Sequence, residues 1–253
     1  MHTESPQSLR DQTVLITGAA RRLGAVMARH LHAAGANLVI HHRQSDREAG
    51  LLAAELNALR TSSAVTVSAD LLDISSFPGL IQTALDSFGR LDALINNAST
   101  FYPTPVGEIT PRAFDDLIGT NLRAPLFLSQ AAAPELRKRR GLILNLIDIH
   151  AFRPLKSHPT YCAAKAGLVM LTQSLARELG PDIRVNGIAP GPVLWPDAAL
   201  DPTQQDKIID RTALKRIGSP LDIAKAALFF LADAPYVTGQ ILPVDGGRSI
   251  SGF

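Results

Sequence analysis

The sequence predicts an α/β fold, a doubly wound and mostly parallel sheet of seven strands with helices on both faces. Short apolar runs of strand length alternate along the chain with longer amphipathic stretches of helical periodicity. This alternation is typical of βαβ units, which pair their strands in parallel. The chain has 253 residues, 46% of them hydrophobic, which is enough for one large core. We therefore expect a single domain over residues 1–253.

Seven apolar runs have the composition of strands that are buried on both faces. They begin at Thr13, Asn37, Ala64, Ala93, Leu142, Ile183 and Ile241. Helical patterns lie between them, and Gly35 is placed to end the first helix. Residues 190–216 form the least regular stretch, which is typical of a substrate-binding loop. Residues 1–10 are predicted to be a flexible N-terminus.

Composition excludes several functional classes. The formal net charge is only +2 and no long Lys/Arg block occurs, so we expect no nucleic-acid partner. The densest basic run, Arg137 to Arg140, is interpreted as a solvated helix end. The single cysteine, Cys162, excludes an internal disulfide framework. No secretory signal pattern and no membrane-length apolar run are found, so we expect a soluble cytoplasmic protein, without a metal or membrane partner.

The first strand runs into the glycine-containing turn "TGAARRLGAVMA". Gly18 permits a tight turn, and Gly24 permits close contact between helix and strand. The N-terminus of the following helix offers unpaired N–H groups to a pyrophosphate. Arg22 stands where a middle glycine is usual. The turn predicts a dinucleotide site, although any tight strand–helix connection has a similar pattern.

The second strand ends in "HHRQS", His41 to Ser45, without the acid that NAD-preferring sites use to bind the ribose. Arg43 and Ser45, with Arg21 from the first turn, suit a 2′-phosphate that an acid would repel. This pattern favours NADPH. Asp70, after the third strand, either contacts the adenine or caps the next helix.

A second group of candidates follows the fifth strand. Tyr161 and Lys165 in "YCAAK" are four residues apart at the start of a helical pattern, so their side chains share one face. A phenol titrates near 10, and a neighbouring ammonium favours its charged form, making it a better proton donor near neutral pH. Asp148 ends the buried strand, where a carboxylate is costly unless it is used.

Five motifs, in this order and spacing, resemble the short-chain dehydrogenase/reductase family over nearly the whole chain. They are "TGAARRLG", "NNAS", "YCAAK", "RVNGIAPG" and "VTGQILPVDGG". The resemblance implies a Rossmann fold and a nicotinamide cofactor. It also implies that Tyr161 donates a proton, that Lys165 holds the nicotinamide ribose, and that Asn121 matches the family's catalytic asparagine.

Two departures narrow the resemblance to the family's pteridine reductases. Asp148 stands where most members have a catalytic serine, and Arg22 replaces the middle glycine. The segment "NNASTFYPTP" and the end of the second strand are also similar. This resemblance implies NADPH and reduction of a pterin, a flat ring for which Phe101 offers a stacking face. Ser99 and Arg22 could form hydrogen bonds with the pterin. Asp148 could accept a hydrogen bond from the pterin amino group or deliver a proton.

The predicted sites follow from these motifs. The predicted catalytic residues are Asp148, Tyr161, Lys165 and Asn121. The predicted cofactor-binding residues are Gly18, Arg21, Arg22, Leu23, Gly24, His41, His42, Arg43, Ser45, Asp70, Leu71, Asn97, Ala98, Ser99, Tyr161, Lys165, Pro190 and Gly191. The predicted substrate-binding residues are Arg22, Ser99, Phe101, Asp148, Tyr161, Pro192 and Trp195.

Alternatives stay open at this point. Asp148 also suits the cap of a short turn, and Phe101, Ser99 and Trp195 suit ordinary loop positions. A second hypothesis is reduction of a carbonyl such as a 3-oxoacyl thioester; Asp148 argues against it, because that chemistry favours a serine at this position. A non-catalytic protein that binds NADPH or a pterin is a third hypothesis. The family resemblance also implies a homotetramer.

Overall fold

The computed structural model describes residues 9–195 and 201–251. Its seven strands are β1 (Thr13–Ile16), β2 (Asn37–His42), β3 (Ala64–Ser68), β4 (Ala93–Asn96), β5 (Leu142–Leu146), β6 (Arg184–Pro190) and β7 (Ile241–Val244). They form one parallel sheet in the order β3-β2-β1-β4-β5-β6-β7. The predicted doubly wound Rossmann-type sheet is therefore confirmed.

Eight α-helices accompany these strands in the described part of the chain. They are α1 (Arg22–Ala33), α2 (Asp46–Leu59), α3 (Phe77–Phe88), α4 (Pro111–Ile118), α5 (Ala124–Arg139), α6 (Pro159–Leu179), α7 (Pro202–Asp210) and α8 (Pro220–Ala232). Successive strand side chains point to opposite faces, so Val14 and Ile16 pack with α1, α2 and α8 in one core cluster. Leu15 packs on the other face with α3, α5 and α6.

Strand order reverses beside β1. Val14 pairs with Leu38 of β2 on one side and with Ala93 of β4 on the other. The connections that leave the carboxyl ends of β1 and β4 therefore diverge to opposite faces. In open α/β sheets this divergence creates the ligand crevice. The motifs predicted to bind cofactor follow β1, β2 and β4, so the topology brings them to this crevice.

Three sequence predictions change at element boundaries. The predicted flexible segment 1–10 extends too far, because Leu9 is fully buried and its N–H donates to Ala34 O at 2.8 Å; residues 1–8 lie outside the described residues. The irregular stretch 190–216 contains a helix, α7, whose first turn is capped by the Asp201 carboxylate; residues 196–200 are also outside the described part. Strand β6 begins at Arg184, one residue after the predicted Ile183.

Among the described helices, none combines the length and the hydropathy that crossing a membrane requires.

Candidate active site

The turn after β1 is packed too tightly for side chains at two positions. Gly18 has φ +61°, and a Cβ there would lie 3.0 Å from Ala98 Cα in the loop after β4. A Cβ on Gly24 would lie 2.5 Å from Gly18 O. Glycine is needed at both positions, as the sequence pattern predicts. Helix α1 therefore starts close to the end of β1, with its N-terminus directed toward the crevice.

Arg22 adopts a backbone conformation that favours glycine. Its φ is +53°, in the left-handed region that costs an ordinary residue about 1–2 kcal/mol. Its guanidinium Nη2 donates to Trp195 O at 3.0 Å. The arginine at the usual glycine position thus keeps the glycine backbone geometry. Its side chain joins the cofactor-side turn to the loop after β6.

His41 connects the turn to β3. Its Nδ1 accepts from Gly18 N–H at 3.1 Å, and its Nε2 lies 3.1 Å from Ala69 O. These two partners require a neutral ring with its proton on Nε2. Burial lowers the pKa of His41 to about 4. His41 lines the cleft, and both of its ring nitrogens hold the protein backbone.

A cleft of about 440 Å³ opens at the strand-order reversal. Its lining residues are Gly18, Ala20, Arg21, Arg22, Leu23, Gly24, His41, His42, Arg43, Gln44, Ser45, Asp70, Leu71, Asn97, Ala98, Ser99, Thr100 and Thr120. Ala20, Gln44, Thr100 and Thr120 were not predicted. Each of them is next to a predicted residue, so treating the motifs as continuous segments would have found them. Tyr161, Lys165, Pro190 and Gly191 are outside this lining.

The end of the cleft beyond β2 is basic and partly neutralised. Arg43 is exposed and carries no acid beside it in sequence. Arg21 Nη1 lies 3.8 Å from Glu48 Oε1 in the first turn of α2, and both side chains are well exposed. Asp70 accepts from Leu72 N–H at 3.0 Å within the turn after β3, whereas the cap of the next helical turn, Ile74–Ser76, is Asp73. Sequence inspection missed Glu48 because it lies on a helix, beyond the strand end.

Asp148 follows β5 and uses its two oxygens differently. Oδ1 accepts from His150 N–H at 2.8 Å and caps the short 3-10 turn Ile149–Ala151. Oδ2 accepts from the Tyr161 hydroxyl at 2.8 Å. The turn-cap explanation is therefore correct for one oxygen. The other oxygen joins Asp148 directly to the candidate proton donor on α6.

The Tyr161 hydroxyl has a pKa that contradicts the expected direction. Tyr161 is only 4% exposed. Burial, followed by the charge of the Asp148 carboxylate and its hydrogen bond, raises the pKa of Tyr161 well above its ordinary value, while a Ser99 hydrogen bond opposes this rise. The sequence predicted a lowered pKa because it considered only the lysine four residues away. The hydroxyl is therefore protonated at neutral pH.

Lys165 is buried behind the tyrosine. It is 2% exposed, its Nζ donates to Leu146 O at 2.8 Å, and the same nitrogen lies 5.7 Å from the Tyr161 ring centre. Burial lowers the pKa of Lys165 to about 8, against the opposing effect of Asp148. A protonated lysine at this position supplies positive charge beside Tyr161. We call the group of Asp148, Tyr161 and Lys165 the substrate end of the crevice.

Asn121 lies in a single π-helical turn, Gly119–Arg123, between α4 and α5. Its Oδ1 accepts from Ser99 Oγ at 2.7 Å, and its Nδ2 donates to Thr100 O and Leu117 O, both at 2.9 Å. π-Turns of this kind are frequent at functional sites. The side chain holds the loop after β4 and orients Ser99.

Phe101 is at the entrance to the substrate end. It is 49% exposed, and its ring forms a T-shaped pair with that of Tyr161, with 4.8 Å between centroids and 77° between planes. One Phe101 face is stacked on His158, with centroids 4.6 Å apart and planes at 12°. His158 was not predicted, since nothing in its local sequence distinguishes it from an ordinary residue before a helix.

The loop after β6 contributes its backbone near the cleft. Gly191 N–H donates to Val244 O at 3.0 Å, and Pro192 O accepts from Gly218 N–H at 2.9 Å. These bonds hold Pro190 to Pro192 against β7 and the segment before α8. Farther along the same loop, Trp195 O accepts from Arg22 Nη2 in the turn after β1.

Comparison with known proteins identifies the family. Residues 18–249 match a family model described as enoyl-(acyl carrier protein) reductase. The chain is 36% identical to pteridine reductase 1 of Leishmania tarentolae, covering 94% of this chain and 96% of that protein. It is 35% identical to L-xylulose reductase of Caenorhabditis elegans, with the same coverage of both chains. Its structure is similar to that of a short-chain dehydrogenase/reductase from Brucella melitensis, with a TM-score of 0.88 and 29% identity. That similarity covers 96% of this chain and 99% of the other.

The chain belongs to the short-chain dehydrogenase/reductase family, and it is an oxidoreductase. Among the described residues, no group of three or more His, Cys, Asp or Glu side chains is arranged to hold a metal ion.

Proposed function

We propose that the protein reduces dihydropterins to tetrahydropterins with NADPH as the hydride source. The observation that carries this proposal is the 2.8 Å hydrogen bond from the Tyr161 hydroxyl to Asp148 Oδ2 at the carboxyl edge of the sheet. A carboxylate there suits a substrate that presents an amino group as well as a ring nitrogen. The pteridine reductase relative, at 36% identity, supports the same choice.

The cofactor-side cleft fits a dinucleotide. The glycine geometry at Gly18 and Gly24 leaves room for a pyrophosphate at the N-terminus of α1. Arg21, the N-cap of α1, lines the same cleft as Arg43 and Ser45 after β2, and their guanidinium groups can bind a 2′-phosphate in pairs of hydrogen bonds. When bound, NADPH supplies the hydride. The remaining predicted cofactor contacts, including those of Pro190 and Gly191 at the end of β6, are part of this proposal.

The chain's own residues supply the proton. Tyr161 holds it on its hydroxyl, since burial and Asp148 raise the pKa. Lys165, whose pKa is about 8, is mostly protonated at pH 7 and stabilises the phenolate that forms when the proton leaves. Asp148 accepts from the substrate amino group, and after the reaction it passes a proton taken up from solvent to the Tyr161 phenolate. Asn121 acts through Ser99 as a positioning residue.

The open face of Phe101 is proposed to stack on the flat pterin ring, with the nicotinamide on the other side of the substrate. Ser99 and the Arg22 guanidinium contribute hydrogen bonds from the cofactor side. Pro192 and Trp195 close the site from the loop after β6, where the Arg22–Trp195 bond already joins the two sides.

A carbonyl substrate is the second candidate. The L-xylulose reductase relative and the acyl-carrier description of the family model favour it. Against it, Asp148 cannot donate a hydrogen bond to a carbonyl oxygen while ionised, as a serine would. A protein that binds NADPH without turnover is disfavoured by the buried Tyr161–Lys165 pair. The homotetramer and the cytoplasmic location stay predictions.

The test is a panel of substrates assayed with NADPH. Turnover is measured as the loss of NADPH absorbance at constant enzyme concentration. The panel contains dihydrobiopterin, dihydrofolate, oxidised biopterin, a 3-oxoacyl thioester and L-xylulose, with Tyr161→Phe as the inactive control. We expect the highest kcat/KM with a dihydropterin. A higher kcat/KM with either carbonyl substrate would reject the proposal in favour of the second candidate. Cofactor binding without turnover of any substrate would favour the binding protein.

A further inference from the structure

The two faces of the Phe101 ring have different surroundings. One face is covered by the His158 imidazole, nearly parallel at 12° and 4.6 Å between centroids. Even so, Phe101 is 49% exposed, so a large part of the ring stays open to solvent. The T-shaped contact with Tyr161, with centroids 4.8 Å apart, keeps the Phe101 ring beside the proton donor. A flat ligand that stacks on Phe101 therefore has at most one available face.

The backbone around His158 is held in place by contacts from two loops. Thr104 N–H, in the loop that carries Phe101, donates to Ser157 O at 2.7 Å. His158 Nδ1 lies 2.8 Å from Lys156 O, which fixes the orientation of the imidazole. Ser157 itself has φ +64°, an uncommon conformation for serine that the surrounding bonds must maintain. The stack is thus a preformed part of the structure.

His158 is also coupled to the chemistry through α6. It immediately precedes Pro159, the first residue of that helix, and lies three residues before Tyr161. Phe101 contacts two aromatic rings: it is stacked on His158 and forms a T-shaped pair with Tyr161. A shift of the Phe101 ring would therefore change the distance between a stacked substrate and the Tyr161 hydroxyl.

We infer that His158 is a specificity-determining positioning residue that acts through Phe101. By covering one face of the ring, it leaves a single face for a flat heteroaromatic substrate and holds that face beside Tyr161. It selects for planar bicyclic rings over flexible carbonyl chains, which gain nothing from an oriented stacking face. This inference rests on the proposed pterin substrate and adds a residue that none of the sequence motifs contains.

A double-mutant cycle tests the inference. The variants are His158→Ala, Phe101→Ala and the double variant, each assayed for KM and kcat with dihydrobiopterin and for its melting temperature. We expect His158→Ala to raise the dihydrobiopterin KM by roughly three- to tenfold, the range of one lost aromatic pair, with kcat changed by less than about twofold. In the Phe101→Ala background, the same substitution should have no further effect, because its effect passes through Phe101.

Two controls separate stacking from general damage. His158→Phe keeps a ring on Phe101 without the imidazole nitrogens, and it should restore the KM to within about twofold of wild type. His150→Ala removes another imidazole from the same connection, one bonded to Arg153 O, and it should leave the KM unchanged. The NADPH KM should be unaffected in all these variants.

The outcomes distinguish the inference from the proposed function. The inference would be overturned if the effects of His158→Ala and Phe101→Ala on KM were additive. It would also be overturned if a folded His158→Phe variant did not restore the KM. In both cases the pterin activity would stand. If wild-type protein turned over no dihydropterin, the proposed function would fail, and the inference would fail with it. A KM effect that was equal for pterin and NADPH would also reject the inference, since stacking on Phe101 concerns the substrate alone.

Discussion

The two ends of the crevice are built differently. At the cofactor end, the cation-bearing side chains Arg21 and Arg43 are exposed, and the shape comes from backbone packing at Gly18 and Gly24. At the substrate end, Tyr161 and Lys165 are buried, and hydrogen bonds and charge determine their properties. The shape of the cofactor end therefore depends on local sequence geometry, whereas the pKa values of Tyr161 and Lys165 depend on burial produced by the whole fold.

The largest expected effect is at the buried end. Replacing Asp148 with Ala removes the acceptor for the Tyr161 hydroxyl and the proposed partner of the substrate amino group. We expect kcat/KM for dihydrobiopterin to fall by roughly 10²–10⁴-fold, the range of a general acid–base group, with the melting temperature unchanged or higher. The measurement is steady-state kinetics beside a melting curve.

Asp148→Ser is the matched control for that change, because serine is the common residue of the family at this position. It should recover pterin reduction poorly and leave any weak reduction of a ketone intact or increased. Full activity of Asp148→Ala would make the aspartate a turn cap only, and activity lost through unfolding would do the same.

The exposed end should discriminate between cofactors. Arg21→Ala together with Arg43→Ala removes charge-assisted hydrogen bonds that only the 2′-phosphate of NADPH can accept. We expect kcat/KM for NADPH to fall by about 10²-fold while that for NADH changes by less than about threefold. Equal efficiency of wild-type protein with both cofactors would contradict the NADPH preference. Arg137→Ala together with Arg139→Ala, both in the last turn of α5, serves as a control that removes the same number of positive charges away from this cleft.

The same contrast explains what the sequence predicted and what it did not. Gly18 and Gly24 were predicted because a tight turn restricts the residue types at fixed spacing. The sheet was predicted because buried parallel strands give continuous apolar runs. The direction of the Tyr161 pKa shift was wrong, since burial and the Asp148 bond exist only in the folded chain. The His158–Phe101 stack was missed because the two residues are far apart in sequence.

His41 is a buried titratable group at the cofactor end of the crevice. Burial lowers its pKa from 6.5 to about 4, so the folded state keeps a neutral ring that the unfolded chain would protonate. Its contribution to stability is therefore complete above pH 6.5 and is lost as the pH falls from 6.5 to about 4. The slope of this loss is up to about 1.4 kcal/mol per pH unit.

The measurement is the free energy of unfolding from urea titrations between pH 7 and pH 4.5, for wild type and His41→Asn. The variant should be less stable at pH 7, because Gly18 N–H and Ala69 O lose their partner, and its stability should decline less on acidification. Three neighbouring groups also affect the His41 pKa: Ala69 O and Asp70 raise it, and His42 lowers it. Because all three are unchanged in the variant, a difference between the two pH profiles reports on His41 itself. Parallel pH profiles for the two proteins would show that His41 does not carry this dependence.

The smallest predicted effect concerns Glu48 at the exposed end. Its carboxylate is 3.8 Å from Arg21 Nη1, where it competes with a 2′-phosphate for the same guanidinium. Exposed ion pairs of this kind are worth about 0.2–1 kcal/mol and are screened by salt. Glu48→Gln should therefore lower the NADPH KM by about two- to threefold at low ionic strength.

At roughly 0.5 M salt the difference should vanish, because the Debye length then falls well below 10 Å. Glu55→Gln, on the same helix but bonded to Arg29 at 2.8 Å, should leave the NADPH KM unchanged. An equal decrease in the NADH KM would mean that Glu48 acts on the dinucleotide as a whole, and the assignment of Arg21 to the 2′-phosphate would then be wrong.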